Sequence, residues 1–273
     1  MAIRGETARV VVTVKTSPQP SAKYGDTVCV AGIRIDGGRS EWIRLYPIPF
    51  RYFGAERKFA KYDIIELTVR RRHEDGRNES YSPEWDSIET IEHLHTWADR
   101  VPYLRDVDQT STCELQSGTA GNPNGPSLGL VPVLDVSKME FEDHPGWTVA
   151  EQSKISNALS QVDLFGNGSV PPRLESPRFK VRYRYRCSDP RCTGHQGQIL
   201  DWEMTELQRH LKSDSDATAK RKITQKYLEM MFASKRHTSF YMGNFENARR
   251  REKFSVLGVY YPERSTASTL SLF

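Results

Sequence analysis

RVVVTVKT (residues 9–16) packs three consecutive valines between β-branched threonines and charged residues, the composition of a strand rather than a helix. TVCVAGIRI (27–35) repeats that composition, and EWIRLYPI (41–48) and YDIIELTVRRR (62–72) continue it, with Gly, Pro and charged turns between them. In the last stretch Asp63, Ile65, Leu67 and Val69 share one face, while Ile64, Glu66, Thr68 and Arg70 share the other. Several short strands with few helical signals predict a small antiparallel barrel.

Outward from that barrel the pattern loosens. Residues 73–126 are polar and poorly periodic and end in GTAGNPNGP (118–126), a loop. LDVSKMEF (134–141) reads as a strand. Thr148 and Glu151 have capping-box spacing, and Ile155, Leu159 and Val162 follow at helical spacing, which predicts a helix over 149–163. FKVRYRYR is a further strand, residues 217–232 a helix, and HTSFYMG (237–243) and FSVLGVYY (254–261) closing strands. The fold class expected is α+β: an OB-like antiparallel β-barrel over 1–126, a basic α+β domain with a Cys/His loop over 127–262, and a flexible tail over 263–273. No repeat is visible in the sequence.

The 273 residues include 37% hydrophobic and 27% charged side chains, enough apolar material for a core and no run long enough to span a membrane. Arg4, Glu6 and Arg9 interrupt the apolar N-terminus and argue against a signal peptide. Four cysteines do not make a disulfide framework, so a reduced, cytoplasmic setting is expected. The net charge of +4 is unevenly spread: residues 178–253 hold 18 Lys/Arg against 9 Asp/Glu. A basic third on a mildly acidic body points to a polyanionic partner, or else to a solvated charged surface.

RFKVRYRYRCSDPRCTGH (178–195) concentrates that charge. Phe179, Val181, Tyr183 and Tyr185 point one way; Arg178, Lys180, Arg182, Arg184 and Arg186 point the other, one cation every 6–7 Å or so. That is roughly the phosphate spacing of an extended strand, and Arg both binds phosphate bidentately and stacks on bases. Arg249, Arg250 and Arg251 add charge to the same third, and Trp42, Arg44 and Tyr46 alternate on one strand of the barrel as nucleic-acid-binding faces do. Each group also has a plain reading, as a solvated face or, for Trp42, as core.

The same stretch ends in Cys187, Cys192 and His195, three candidate ligands for a zinc ion on a Pro-containing loop. The fourth could be Cys113, His210, His237 or Cys29, or water. ILDWE (199–203) offers a different chemistry: Asp201 and Glu203 could hold Mg²⁺ for phosphodiester cleavage, with His195 or Lys235 nearby. Asp201 equally occupies an N-cap position, with Glu203 in the favoured first turn of a helix.

VCVAGIR…EWIRLYPIPFR…KYDIIEL, YRYRCSDPRCTGHQGQILDWE and SFYMGN…FSVLGVYYP together resemble an uncharacterised bacterial family associated with mobile and defence-related gene neighbourhoods. The first of them is also similar to the opening of the dual OB-containing domain. The resemblance implies a barrel at the N-terminus and a bacterial defence setting, and it brings no known activity. The reading that results is a binder of DNA, RNA or a phosphorylated small ligand, acting as a recognition subunit of a defence or mobile-element system, with a second protein subunit as a further candidate partner. The alternative is a metal-dependent nuclease built on His195, Asp201 and Glu203.

Overall fold

The computed structural model describes residues 5–165, 171–247 and 250–269. The first seven strands are β1 (Glu6–Lys15), β2 (Gln19–Ser21), β3 (Gly25–Arg34), β4 (Glu41–Ile48), β5 (Asp63–Arg71), β6 (Ser80–Pro83) and β7 (Glu89–His93). Five of them close into a ring in the order β1-β3-β4-β6-β5-β1, with β2 added at β3 and β7 at β5. All the ring's pairings are antiparallel except β4 with β6, where Arg44 lies opposite Ser80 and Leu45 opposite Tyr81. This is the expected OB-like barrel.

The three-valine run explains its shape. Val10 and Val12 fill the barrel with Val28, Val30, Ile43 and Leu45, whereas Val11 and Val14 pack outside it with Ala31, Ile33 and Ile64. Both faces of β1 and β3 are therefore dry, and uninterrupted apolar runs replace strict alternation.

Short helices follow: α1 (Trp97–Leu104) and α2 (Thr112–Thr119), each opened by a capping box, Thr96 with Asp99 and Ser111 with Glu114. Those two boxes were the signal for helices in the stretch read as aperiodic. Next come β8 (Leu128–Asp143), α3 (Val149–Phe165), β9 (Phe179–Cys187), β10 (His195–Gln198), α4 (Trp202–His210), α5 (Asp216–Thr224), β11 (Ser239–Asn244), β12 (Phe254–Tyr260) and α6 (Arg264–Thr269). β8 is far longer than the strand expected over 134–141. α5 runs on into a π-helical turn, Gln225–Met230, in place of one regular helix to 232. A helix at 264–269 stands where a flexible tail was expected: the Arg264 N–H donates to Lys235 O (2.9 Å), and α6 packs on α1.

The second sheet runs β10-β9-β8-β11-β12. Its ends then meet, because Ile199, just past β10, bridges Val256 of β12 in parallel and the Leu200 N–H donates to Val256 O at 2.8 Å. Replacing β1, β3, β4, β5 and β6 by β8, β9, β10, β11 and β12 reproduces the order of the first ring, its lone parallel contact included. The architecture repeats where the sequence does not. α2 belongs with this second unit, not with the first as the expected boundary at 126 had it: Thr112 Oγ1 lies 2.8 Å from the Tyr185 hydroxyl.

The barrels share a core. Leu128, Leu130, Tyr241, Leu257 and Tyr260 of the second cover Val11, Ala31, Ile33 and Ile64 of the first. Burying side chains of this size is worth about 1.5–3 kcal/mol each. Around that seam the Ser17 N–H donates to Leu200 O (2.8 Å), and the Arg77 guanidinium donates to Asn244 O (3.1 Å). Among the described residues no helix is long and apolar enough to cross a membrane.

Gly32 lies on β3 opposite Val12, and a Cβ there would drive into Val11 O and the Val10 side chain. Gly32→Ala is expected to cost about 1–3 kcal/mol in a denaturant titration. Gly37→Ala, with nothing within 4 Å of the new methyl, should leave the midpoint unchanged.

Candidate functional site

The period-2 alternation of β9 turns Cys187 inward at the strand's end, fully buried. The loop after it folds back on Asp189, whose carbonyl accepts from the Cys192 N–H (3.0 Å) and whose carboxylate accepts from the Arg191 N–H (2.7 Å). Gly194, at φ +114°, makes the turn that a side chain would oppose, and β10 begins at His195, opposite Tyr185. The first turn of α2 brings in Cys113.

The four donor atoms of Cys113, Cys187, Cys192 and His195 all lie within 4.8 Å of one another. Cys113 Sγ and Cys187 Sγ are 3.7 Å apart, and each is 3.4 Å from His195 Nε2. A tetrahedron with Zn–S near 2.3 Å and Zn–N near 2.0–2.1 Å has S···S edges of about 3.8 Å and S···N edges of about 3.5 Å. The three edges among Cys113, Cys187 and His195 have those lengths, and Cys192 lies within 4.8 Å of all three, so the cluster could hold a metal such as zinc.

Its electrostatics agree. Burial, reinforced by the neighbouring Cys187 sulfur, pushes the Cys113 thiol up to about 12, so the sulfurs resist ionising together unless a cation lies among them. Burial also lowers the His195 pKa, leaving a neutral imidazole with a lone pair to give. Of the other candidates for fourth ligand, Cys29 accepts from Arg44 (3.3 Å) and His210 Nδ1 lies 2.7 Å from Glu206 O, both away from the cluster.

The cationic row of β9 alternates as expected, but it is not a free track. The neighbouring β8 supplies a matching acidic row. Arg182 pairs with Glu142 (2.6 Å), Arg184 with Glu140 (2.7 Å) and Arg186 with Asp135, while Arg178 pairs with Asp216. Lys138 and Arg184 hold the Glu140 carboxyl down at about 2. The row is a cross-strand ion-pair lattice, and its local charge is largely cancelled.

Basic residues from distant segments, with Lys180 of the same row (3.8 Å from Glu142) among them, meet at a cleft between the barrels with a volume of about 490 Å³. β4 contributes Arg44 and Tyr46, β9 contributes Lys180, and the segment after β11 contributes Phe245 and Arg250. Arg44 is buried and fixed by Ser127 O (2.9 Å). The Arg250 guanidinium stacks 3.7 Å from the centroid of Phe245. Trp147 enters from the turn before α3, its Nε1–H donating to Leu174 O (3.1 Å). Arg77 completes the lining, ion-paired with Asp75. Trp147, Phe245 and Arg77 were not singled out in the sequence; HPGW ahead of the Thr148 capping box was the available hint for the first.

Trp42 packs edge-on against Tyr241 (6.3 Å between centroids) at the inter-barrel seam and takes no part in the cleft. Arg251 is turned to Pro123 O and Glu246 O. Arg249 lies outside the described residues.

Asp201 caps α4: its carboxylate accepts from the Glu203 N–H at 2.9 Å, and the residue is 3% exposed. With Glu203 it lines a separate cavity together with Lys15, Lys61 and Lys226. His195 is absent from that cavity, its Nε2 being occupied with the sulfurs. Among the described residues no third His, Cys, Asp or Glu closes on Asp201 and Glu203 at ligand distance, so the expected nuclease constellation is not assembled.

A pair of fused barrels with a Cys₃His cluster and an aromatic, cationic cleft is thus the class of protein that the fold and site define. Residues 108–273, more than half of the chain, match the family described as Domain of unknown function (DUF8757), and the chain belongs to that family. Residues 6–106 match a second, Domain of unknown function (DUF8758). The break between the two matches falls between α1 and α2, in keeping with α2 packing on the second barrel. No curated protein matches the chain. Among solved structures, one titled "Structure of murine DNA binding protein bound with ds DNA" aligns over 94% of each chain at 9% identity with a TM-score of 0.32, a likeness too distant to carry an argument.

Three outcomes test this geometry. Cys113→Ser and Cys192→Ser should each weaken Co²⁺ binding, read by its tetrahedral absorption bands, to a similar extent, because a hydroxyl is a poor substitute for a thiolate. Asp201→Ala should cost about 1 kcal/mol and Asp201→Asn less, since the amide keeps the cap. Burial raises the Asp201 pKa to about 6 from its ordinary 3.8. The native state therefore holds a proton that the unfolded chain has released, and this contribution is lost as pH rises from about 4 to 6. Melting curves across that window should show the parent losing stability relative to Asp201→Asn.

Proposed function

We propose that this protein binds nucleic acid, seating one nucleotide unit in the cleft between its barrels. The observation that carries the reading is the convergence of Tyr46, Trp147 and Phe245 with Arg250, beside Lys180 and Arg77 that Glu142 and Asp75 hold in the wall, drawn from both barrels and five separate segments, around one cleft of about 490 Å³. Aromatic faces stack on bases without regard to sequence, and cations placed beside them meet the phosphate. A cavity of that volume suits a single nucleotide.

Zinc in the Cys₃His cluster is the second part of the proposal. Four protein ligands leave no open position, which is the mark of a structural rather than a catalytic ion. There it ties α2 and the β9–β10 loop to the second barrel. Free thiols in such a cluster suit a reducing cytoplasm. The family resemblance extends the reading to a recognition subunit in a bacterial defence or mobile-element system.

Fluorescence anisotropy with labelled oligothymidine and oligouridine tests the binding. Trp147→Ala and Arg250→Ala should each weaken it about tenfold, the loss of one stacking or phosphate contact. Arg182→Ala combined with Arg184→Ala should change affinity less than about twofold and leave the salt dependence unaltered, because those charges are already paired. Parent protein that binds no oligonucleotide at low salt would overturn the reading, as would Trp147→Ala with unchanged affinity.

A further inference from the structure

Beside the cleft, at Pro18, runs a groove of about 640 Å³, formed by the β4–β5 connection, the chain over 171–178, and α4 with the residues just after it. Six cations line it, Arg51, Lys58, Arg173, Arg178, Arg209 and Lys212, against the carboxylates of Glu175 and Glu206. Three of the six are committed: Arg51 to Asp26, Arg178 to Asp216 and Arg209 to Glu206. Lys58, Arg173 and Lys212 are exposed, and among the described residues they form no ion pair. This contrasts with β9, where each arginine of the row has its carboxylate. The half-buried indole of Trp202 lies in the groove, braced from behind by Phe50 at 5.3 Å and by the Lys15 ammonium at 4.9 Å.

Groove and cleft are neighbours. Ser17 and Gln19 line the cleft while Pro18 lines the groove, and Lys180 and Arg178, two residues apart on one strand face, belong to the cleft and the groove respectively. Trp147 of the cleft donates to the carbonyl of Leu174, which lines the groove. Two residues along a strand span roughly 6–7 Å, about one phosphate step.

We propose that the groove carries the sugar–phosphate backbone of a single strand whose neighbouring nucleotide sits in the cleft. The ligand is then single-stranded nucleic acid several nucleotides long, not a free nucleotide. This rests on the cleft reading above. The unpaired cations sit where counterions would be released on binding, and the flat indole of Trp202 gives a second base a face to stack on.

The test compares a thymidine dinucleotide with a thymidine dodecamer on the full chain, in the parent and in Lys58→Gln/Arg173→Gln/Lys212→Gln. A thermal melt of the variant matching the parent shows that the fold is kept; the exposed positions make that the expected result. The variant should bind the dinucleotide within about twofold of the parent. It should bind the dodecamer at least tenfold more weakly, with the slope of log K against log salt flattened by about 2, three single-strand phosphate contacts. Unchanged dodecamer affinity and slope, in a protein whose dinucleotide binding still depends on Trp147, would overturn the groove and leave the cleft standing. A parent that binds neither oligonucleotide would bring down the cleft reading itself. Polyglutamate of matched charge competing as well as the dodecamer would make the occupant an acidic protein and overturn a nucleic-acid backbone.

Discussion

The outer face of β1 and β3 has to be kept from water. Val11, Val14, Ala31 and Ile33 point away from the interior of the first barrel, yet all are at most 1% exposed. They are dry because the second barrel lies over them with Leu128, Leu130, Tyr241 and Leu257. A single barrel with that exterior would show a contiguous apolar patch. The hydrophobic seam therefore sets the position of one barrel on the other, and the cleft, the groove and the Asp201 cavity lie along its edges.

Two curved surfaces pressed together leave concavities where they part. One edge is the cleft holding Tyr46, Trp147 and Phe245; another is the groove beneath the 171–178 segment; a third is the cavity holding Lys15, Lys61 and Asp201. Several buried polar groups near the seam have partners there. Arg44 meets Ser127, Ser17 meets the backbone of Leu200, and Lys15 lies between Phe50 and Trp202 while donating to Phe59 O at 3.1 Å. Such contacts make the junction specific, since a buried donor without a partner costs more than a made bond returns.

The second barrel solves its own problem with the Cys₃His cluster. β10 is four residues long, and its closure onto β12 runs through the single bridge at Ile199 and Val256. The cluster fastens the loop between β9 and β10 to α2 from the opposite end of that short strand. The ion-pair lattice on β8 and β9 serves the sheet's exposed face in the same way, through cross-strand neighbours, and leaves the unpaired cations concentrated elsewhere.

Much of this was legible in the residues alone. β-branched runs gave four of the five strands that close the first barrel, because side-chain shape and turn chemistry act locally; β6, SYSP, lies in the polar stretch that carries no such run. The period of two along FKVRYRYRC told which side chains face in, and Asp201 ahead of WEM marked a helix start, since a cap is decided within three residues. Cys187, Cys192 and His195 were visible as a ligand set because they sit within nine residues of one another. What periodicity cannot say is what lies across the sheet. Nothing in the arginine row revealed that Asp135, Glu140 and Glu142 would stand beside it, nor that Cys113, 74 residues before Cys187, rather than Cys29, His210 or His237, would complete the tetrahedron. The second ring, the shared seam and the cleft depend on contacts between segments far apart in the chain. A sequence fixes the face that each side chain presents, and only the folded chain decides which face it meets.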